Sequence, residues 1–296
     1  MNISAIIPVR NRATVIDRAL DSVAAQKVPV NEVVVVDDCS SDDTPERVLA
    51  RSHDLPGLRL IRNQQRGGAP RARNLAAAAA TGELLAFLDS DDEWLPDKTG
   101  EQLAILARRP ECPAVGCNIV YVHEDRGPRE SRNGAVATFA DLCCDNVLGS
   151  TSSAIVRRSA FEAVGGFRPE LPSCQDWDLW LRLAKLGDLR IAAQPLLKKH
   201  QDRTSRISND VDAVLAGHAV VFASIYDQIA DPARLNAVKA AHETRLSMIF
   251  GHACFDPRRA IAHASKALRL QPTPRQALNF GRTIAWLALQ SLRRRS

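Results

Sequence analysis

No stretch of this chain is long and apolar enough to span a bilayer without charges or helix breakers. Its start, Met1-Asn2-Ile3-Ser4-Ala5-Ile6-Ile7-Pro8, lacks the charged segment and long apolar run of a secretory signal. The seven cysteines are odd in number and lack metal-site spacing, and adjacent Cys143-Cys144 favour neither an ordinary disulfide nor zinc. They read as reduced thiols, which sets the expectation of a cytoplasmic protein. Acid is missing from the end of the chain, where nothing acidic follows Asp256. Residues 1–208 hold 27 Lys and Arg against 28 Asp and Glu, whereas residues 209–296 hold 12 against 6, so the net +5 belongs to the tail. An anionic partner is expected there, and a nucleic-acid footprint across the whole molecule is not.

What is present is ordinary in composition, and 296 residues suffice for one large domain or two modest ones. Short apolar runs alternate with stretches of helical spacing. Ser4–Val9 reads as a strand, and residues 13–26 as a helix through Val15, Ile16, Ala19, Leu20 and Val23. Val33-Val34-Val35-Val36 has the β-branched character of a parallel strand buried on both faces. A helix from the Ser40–Glu46 start signals to about His53, a strand at Leu58–Ile61 and an alanine-rich helix at Ala69–Ala80 follow. Gly82 then precedes the strand-length run Glu83–Leu88. Such alternation predicts an α/β domain with a largely parallel sheet, whose ligands sit outside the carboxyl ends of the strands.

Three polar clusters fall at those ends: Pro8–Arg12, Asp37-Asp38 and Asp89-Ser90-Asp91-Asp92. Asp-x-Asp at a strand end can hold a divalent cation through oxygen ligands, shared with substrate phosphates. The plain alternative is a solvated acidic turn with Asp92 or Asp97 capping the next helix. Beyond Pro96 the pattern predicts a helix to about Arg109, strands at Ala114–Val122, Ser152–Val156 and Leu189–Ala193, and a helix starting at Gln175. Residues 123–138 and 200–205 read as polar loops, and everything from Asp210 onward as helix broken near Asp231-Pro232, Asp256-Pro257 and Gln271-Pro272.

Taken in order, these residues resemble the family 2 glycosyltransferases and their GT-A fold. The motifs are Ile7-Pro8-Val9-Arg10-Asn11-Arg12, Val36-Asp37-Asp38-Cys39-Ser40-Ser41-Asp42, and Gly68-Ala69-Pro70-Arg71-Ala72-Arg73-Asn74. Gly82-Glu83 with Asp89-Ser90-Asp91-Asp92, and Gly165-Gly166-Phe167 with Gln175-Asp176-Trp177-Asp178-Leu179-Trp180-Leu181-Arg182, complete the set. The resemblance covers about residues 1–205. It implies a catalytic domain over 1–208, with a nucleotide-sugar half (1–95) and an acceptor half (96–208), followed by a helical region at 209–296 outside the resemblance.

The resemblance also implies roles. Pro8, Arg10, Asn11 and Asp38 would meet the nucleoside, with the Asp38 carboxylate accepting a base N–H. Gly68, Arg71 and Arg73 would approach the diphosphate, and Asp89 and Ser90 the ribose side of the donor. Mn2+ or Mg2+ would sit on Asp91, with Asp89 and His200 close by, and neutralise charge on the departing nucleoside diphosphate. Asp176 would be the base that deprotonates the acceptor hydroxyl, giving inversion at the anomeric carbon. Trp177 and Trp180 would line the acceptor groove, with a core position the alternative for Trp180. The implied donor is a UDP-sugar by family frequency, with GDP and dTDP as the alternatives, and the acceptor a saccharide or lipid-linked glycan of a bacterial polysaccharide or glycolipid pathway. Two positions depart from the family: Arg10 stands where an aromatic is usual, and Gln175 where Glu is usual.

Two other activities share the sheet type. A sugar-nucleotide nucleotidyltransferase would carry a Gly-rich loop after the first strand, where this chain reads Pro-Val-Arg-Asn-Arg. A non-catalytic nucleotide-sugar-binding protein would need neither the acids nor Asp176. In the tail, residues 274–292 present an apolar face (Leu278, Phe280, Ile284, Trp286, Leu287, Leu289, Leu292) followed by Arg293-Arg294-Arg295. That face packs on the catalytic domain or on a second copy in a homodimer, or it lies at an anionic membrane surface.

Overall fold

The computed structural model describes residues 1–55, 57–123, 127–201, 210–254 and 256–293. Strands β1 (Ile3–Val9), β2 (Glu32–Asp37), β3 (Leu58–Arg62) and β4 (Leu84–Phe87) alternate with helices α1 (Ile16–Ala24), α2 (Thr44–Ala50) and α3 (Ala69–Ala79). Next come β5 (Asp92–Trp94), α4 (Lys98–Arg108), β6 (Ala114–His123), β7 (Arg129–Glu130), β8 (Val136–Ala137) and α5 (Phe139–Cys144). A 3-10 turn at Thr151–Ser153, then β9 (Ile155–Arg157), α6 (Arg158–Ala163), α7 (Gln175–Leu183) and β10 (Leu189–Gln201) follow. The strands form one sheet in the order β3-β2-β1-β4-β9-β6-β10-β5.

Strands β3, β2, β1 and β4 are parallel, and Val33 to Val36 are fully buried, as expected for strands covered on both faces. The rest of the sheet is mixed rather than largely parallel. β9 runs antiparallel to both β4 and β6, and β5 antiparallel to β10. The apolar pattern does not distinguish these directions, because the strands bury both faces either way. Glu32 ties β1 and β2 to the turn before β4. Its carboxylate accepts from Ser4 Oγ at 2.6 Å, from Thr81 Oγ1 at 2.8 Å and from the Thr81 backbone, and it pairs with Arg59 at 2.6 Å.

Two expectations change here. β10 continues to Gln201 instead of stopping at Ala193, its register shifting around Pro195, so His200 lies on a strand and not in a loop. Residues read as one polar loop carry the short strands β7 and β8, which pair with β6 and β10. Residues 124–126 of that loop, the 202–205 segment and the Arg294-Arg295 end lie outside the described residues.

The chain divides into two compact units. One comprises Met1–Leu142, Val147–Leu171 and Gln175–Thr204, and the other Cys143–Asn146, Pro172–Cys174 and Ser205–Ser296. The second is built on α8 (Val211–Tyr226), α9 (Pro232–His252), α10 (Pro257–Leu270) and α11 (Pro274–Arg293). The Asp-Pro pairs that mark its breaks are helix starts. Proline at the first helical position needs no partner for an N–H, and the preceding carboxylates of Asp231 and Asp256 accept from Arg234 N at 2.7 Å and Arg259 N at 3.0 Å. Within this unit His242 is buried, stacked on Phe222 at 3.7 Å, with Nε2 donating to Cys143 O at 2.7 Å and Nδ1 accepting from the Tyr226 hydroxyl at 2.9 Å. Leu278 and Ile284 of α11 are exposed, while Trp286 lies close to Gly251. The Leu289 and Leu292 side chains lie outside what the structure describes.

Candidate active site

The carboxyl ends of β1 and β2 are laced together. Asn11, in the left-handed region at φ 51°, donates its backbone N–H to Ser40 Oγ at 2.9 Å, and its side-chain oxygen accepts from Ser41 N at 2.8 Å. Pro8 is buried in β1 opposite Val36, whereas Arg10 is exposed beyond the strand end. Asp38 faces the glycine loop. One oxygen accepts from Asn63 Nδ2 at 2.9 Å and Gly67 N at 2.7 Å, and the other from Gly68 N at 2.7 Å. Burial works to raise its pKa, but these hydrogen bonds and the Arg10 charge hold it below the ordinary value. Asp38 thus shapes the loop through which a phosphate would be approached. Gly68 (φ 81°) gives that loop its left-handed turn, and Arg71 lines an open depression of about 430 Å3 with Asn63, Gln64, Gln65 and Arg66.

Arg73 projects from the first turns of α3 and is 6 % exposed. Its Nη2 pairs with the Asp89 carboxylate at 2.5 Å and its guanidinium lies 5.3 Å from the Phe167 ring centre. Nε and Nη1 are buried without a hydrogen-bond partner. Orphaned buried donors on a charged group are costly, and an anion placed beside these strand ends would satisfy both.

Strand β4 ends in the acidic block. The Asp89 backbone N–H donates to Ser152 Oγ at 2.9 Å, Ser152 Oγ donates to Asp92 Oδ2 at 2.7 Å, and Lys199 lies 3.4 Å from the same oxygen. Asp92 is wholly buried, starts β5 and is no helix cap. Asp97 occupies the N-cap of α4 without a side-chain capping bond and pairs instead with Lys27 at 2.8 Å. The Asp92 carboxyl is pushed up to about 6, by burial first and further by Asp89 and Asp91, against the pull of Lys199. Ser90 and Asp91 are buried beside it, with the Asp91 carbonyl accepting from Arg18 at 2.7 Å. His200 Nε2 is 3.1 Å from Glu93, on the strand that pairs with β5. Its pKa is lowered, by burial first and by Arg18 and Lys198, against the Glu93 bond.

Among the described residues no group of three or more His, Cys, Asp or Glu side chains gathers to cage a metal ion. The donor set nonetheless fits a cation shared with substrate. Hard divalent ions at phosphate sites take one or two carboxylates and complete their shell with phosphate and water. Asp89, Asp91 and the orphaned Oδ1 of Asp92 supply such oxygens in one mutual field.

Asp176 lies in the first turn of α7. Its carboxyl pKa is raised, foremost by burial and also by Asp89, while its hydrogen bond from Trp177 N and the charges of Lys199 and Arg73 oppose the rise. The candidate base, the candidate diphosphate arginine and the acidic strand end therefore share one electrostatic neighbourhood. Trp177 and Trp180, expected in an acceptor groove, are core side chains at 2 % and 0 % exposure. Their indole N–H groups donate to Leu142 O at 2.7 Å and Gly149 O at 3.0 Å, anchoring the segment ahead of the 3-10 turn. Asp178 is buried between Arg182 at 2.6 Å and Arg168 at 3.2 Å, a structural ion pair on the opposite side of the same turn.

A model of glycosyl transferase family 2 matches residues 4–165. The chain belongs to that family. Similar proteins include an uncharacterized glycosyltransferase of Haemophilus influenzae, 30 % identical over 61 % of each chain. A putative teichuronic acid biosynthesis glycosyltransferase, TuaG of Bacillus subtilis, is 28 % identical over 70 % of this chain and 82 % of its own. The chain covers 61 % of the length of the Haemophilus relative and of a Mycobacterium tuberculosis one. Among solved structures, S. aureus TarS 1–349 in complex with UDP-GlcNAc superposes with a TM-score of 0.70 at 19 % identity, covering 97 % of this chain and 88 % of that one. The mannosyltransferase PcManGT of Pyrobaculum calidifontis, in complex with GDP-Man and Mn2+, gives 0.56 at 21 % identity, over 98 % and 86 %. At such identities the likeness shows the fold, and it is the GT-A arrangement expected from the motifs.

Lys199 and Ser152 are site residues that sequence reasoning missed. Lys199 meets Asp92 across 107 positions and Ser152 meets it across 60, so no local motif joins them. The adjoining His200 was the one available signal for Lys199.

Proposed function

We propose that this family 2 chain transfers a sugar from a nucleoside-diphosphate sugar, a UDP-sugar, to an acceptor hydroxyl, with Asp176 as base. The observation that carries this reading is the common field of Asp176, Arg73, Asp89 and Lys199, with two Arg73 donors buried and unpartnered. In the reaction the acceptor oxygen forms its bond to the anomeric carbon as the carbon–oxygen bond to the diphosphate breaks. The hydroxyl proton passes to the Asp176 carboxylate and the bonding electrons leave with the nucleoside diphosphate, inverting the carbon. Arg73 and Arg71 face the diphosphate, and the Gly67-Gly68 loop held by Asp38 lets the backbone approach it. A bound Mn2+ or Mg2+ on Asp91, with Asp89 and His200 beside it, would neutralise the leaving group's charge.

Relatives support the substrate class. An E. coli relative, 37 % identical over 36 % of this chain and 41 % of its own, is named a UDP-Glc:alpha-D-GlcNAc-diphosphoundecaprenol beta-1,3-glucosyltransferase, WfgD. A lipid-linked or saccharide acceptor follows on this reading. No helix among the described residues is long and apolar enough to cross a membrane. The exposed Leu278 and Ile284 of α11, flanked by Arg275 and Arg282, suit peripheral contact with an anionic inner-leaflet surface.

A donor screen tests the proposal. The protein is mixed with Mn2+ and a panel of nucleotide sugars, and thermal stabilisation and released products are measured. Stabilisation by UDP or a UDP-sugar with slow UDP release is expected. Pyrophosphate formed from a sugar phosphate and UTP would overturn it in favour of nucleotidyl transfer.

A further inference from the structure

We propose that Phe167 is a positioning residue for donor binding, its ring seating the Arg73 guanidinium while Asn74 and Gly166 hold the ring in place. The inference rests on the reading of Arg73 as a contact of the diphosphate. A guanidinium is planar, and its paired N–H groups serve a phosphate only when that plane is fixed. Asp89 meets Nη2 alone, while Nε and Nη1 are buried without a hydrogen-bond partner. A single bond at one corner leaves the plane free to pivot. The Phe167 ring supplies the second hold, with the guanidinium carbon standing over it at 5.3 Å from the ring centre.

Asn74 fixes where that ring stands. It follows Arg73 on α3, donates through Nδ2 to Phe167 O at 2.7 Å and accepts at Oδ1 from Phe167 N at 2.9 Å. One side-chain amide thus clasps both backbone groups of a residue 93 positions away. Two consecutive helix residues grip Phe167, Asn74 by its backbone and Arg73 over its ring. The approach requires a glycine at 166. Gly166 is held at φ 67°, and a Cβ there would lie 2.8 Å from Asn74 Oδ1 and 3.0 Å from the Phe161 ring. Phe167 also packs edge-on against Phe87 at 5.3 Å and Phe161 at 5.7 Å, and all three rings are buried. Phe87 ends β4 just before Leu88-Asp89, so one cluster locates both holds on the guanidinium. All of these residues lie in the same compact unit.

An arginine already held in its binding orientation loses less freedom when a phosphate arrives, and the difference appears as affinity. Phe167 is 1 % exposed and therefore acts on the donor through Arg73, without touching it.

The test is a double-mutant cycle in the full chain. Phe167→Met keeps most of the buried volume and removes the aromatic face. Arg73→Met removes the guanidinium, and the two changes are then combined. Affinities for UDP and for uridine, which carries no phosphate, are measured in the presence of Mn2+. Phe167→Met is expected to weaken UDP binding about 5- to 10-fold and uridine binding by less than about twofold. In the Arg73→Met background it should weaken UDP binding no further, because the ring then has no guanidinium to seat. Asn74→Ala, which removes both bonds to Phe167, should weaken UDP binding about three- to fivefold with uridine again unaffected, and it replaces Phe167→Met in the cycle if that variant does not fold. Wild-type UDP affinity in the single variant, an equal loss for uridine, or the same loss again in the Arg73→Met background overturns the positioning role. Undiminished UDP affinity in Arg73→Met itself overturns the reading of Arg73 as a diphosphate contact, and this inference with it.

Discussion

Arg73 holds Asp89 through Nη2 at 2.5 Å and leaves Nε and Nη1 buried with no hydrogen-bond partner. An arginine used only to neutralise Asp89 would not need two further desolvated donors. Arg73→Lys keeps the charge and removes the planar fork. Nucleoside diphosphate affinity should fall by about tenfold, roughly 1.4 kcal/mol, with little change in melting temperature. Titration calorimetry checks this, and unchanged affinity would show that the donors face no phosphate.

Glu32 makes the parallel part of the sheet sensitive to acid. Burial works to raise its pKa, but Ser4, Thr81 and Arg59 together hold it at about 2, below the ordinary 4.5. A depressed carboxyl contributes stability that is complete above 4.5 and lost as pH falls through about 2. Glu32→Gln should cost about 3 kcal/mol at pH 7, and the difference from wild type should shrink below pH 4.5. Urea unfolding at several pH values measures both.

Much of the fold and part of the site were legible in the sequence, for local reasons. Val33–Val36 and the Ile3–Val9 run announce buried strands, and polar residues immediately after them mark strand ends whatever the partner strands do. The Asp-Pro breaks announce helix starts because both residues act within one turn. What was not legible depends on distant partners. Asp92 looks like a cap until Ser152 and Lys199 arrive from across the chain, and β10 seems to end at Ala193 because Pro195 interrupts the pattern but not the pairing. The resemblance put Trp177 and Trp180 along an acceptor groove, with the core as the other place for Trp180. Only the carbonyls of Leu142 and Gly149 reveal them as core anchors.

The helical unit should respond to a higher pH window. Burial lowers His242 from 6.5 to about 4, and the charge of His218 adds to this, while the bond to the Cys143 carbonyl opposes it. Between these values the unfolded chain binds the proton and the folded unit does not, so stability falls as pH drops from 6.5 towards 4. About 2 kcal/mol should be lost between pH 7 and pH 5 in the wild type and not in His242→Phe. Chemical denaturation followed by circular dichroism reads the difference, and identical pH slopes would contradict it.

Membrane contact through α11 makes a separate prediction. Leu278→Asn with Ile284→Asn should reduce recovery of the chain with anionic vesicles in flotation, and neutral vesicles should recover neither form. Equal flotation of both forms on anionic vesicles would discard the contact.

On the proposed function, Asp176 takes the acceptor proton. Transfer by Asp176→Asn, measured beside nucleotide-sugar affinity, tests it most directly. The expected result is a kcat lowered by at least about 10²–10⁴-fold with affinity within about threefold, and a wild-type acid limb above the ordinary aspartate value of 3.8 because burial raises this carboxyl. Wild-type transfer by Asp176→Asn would contradict it.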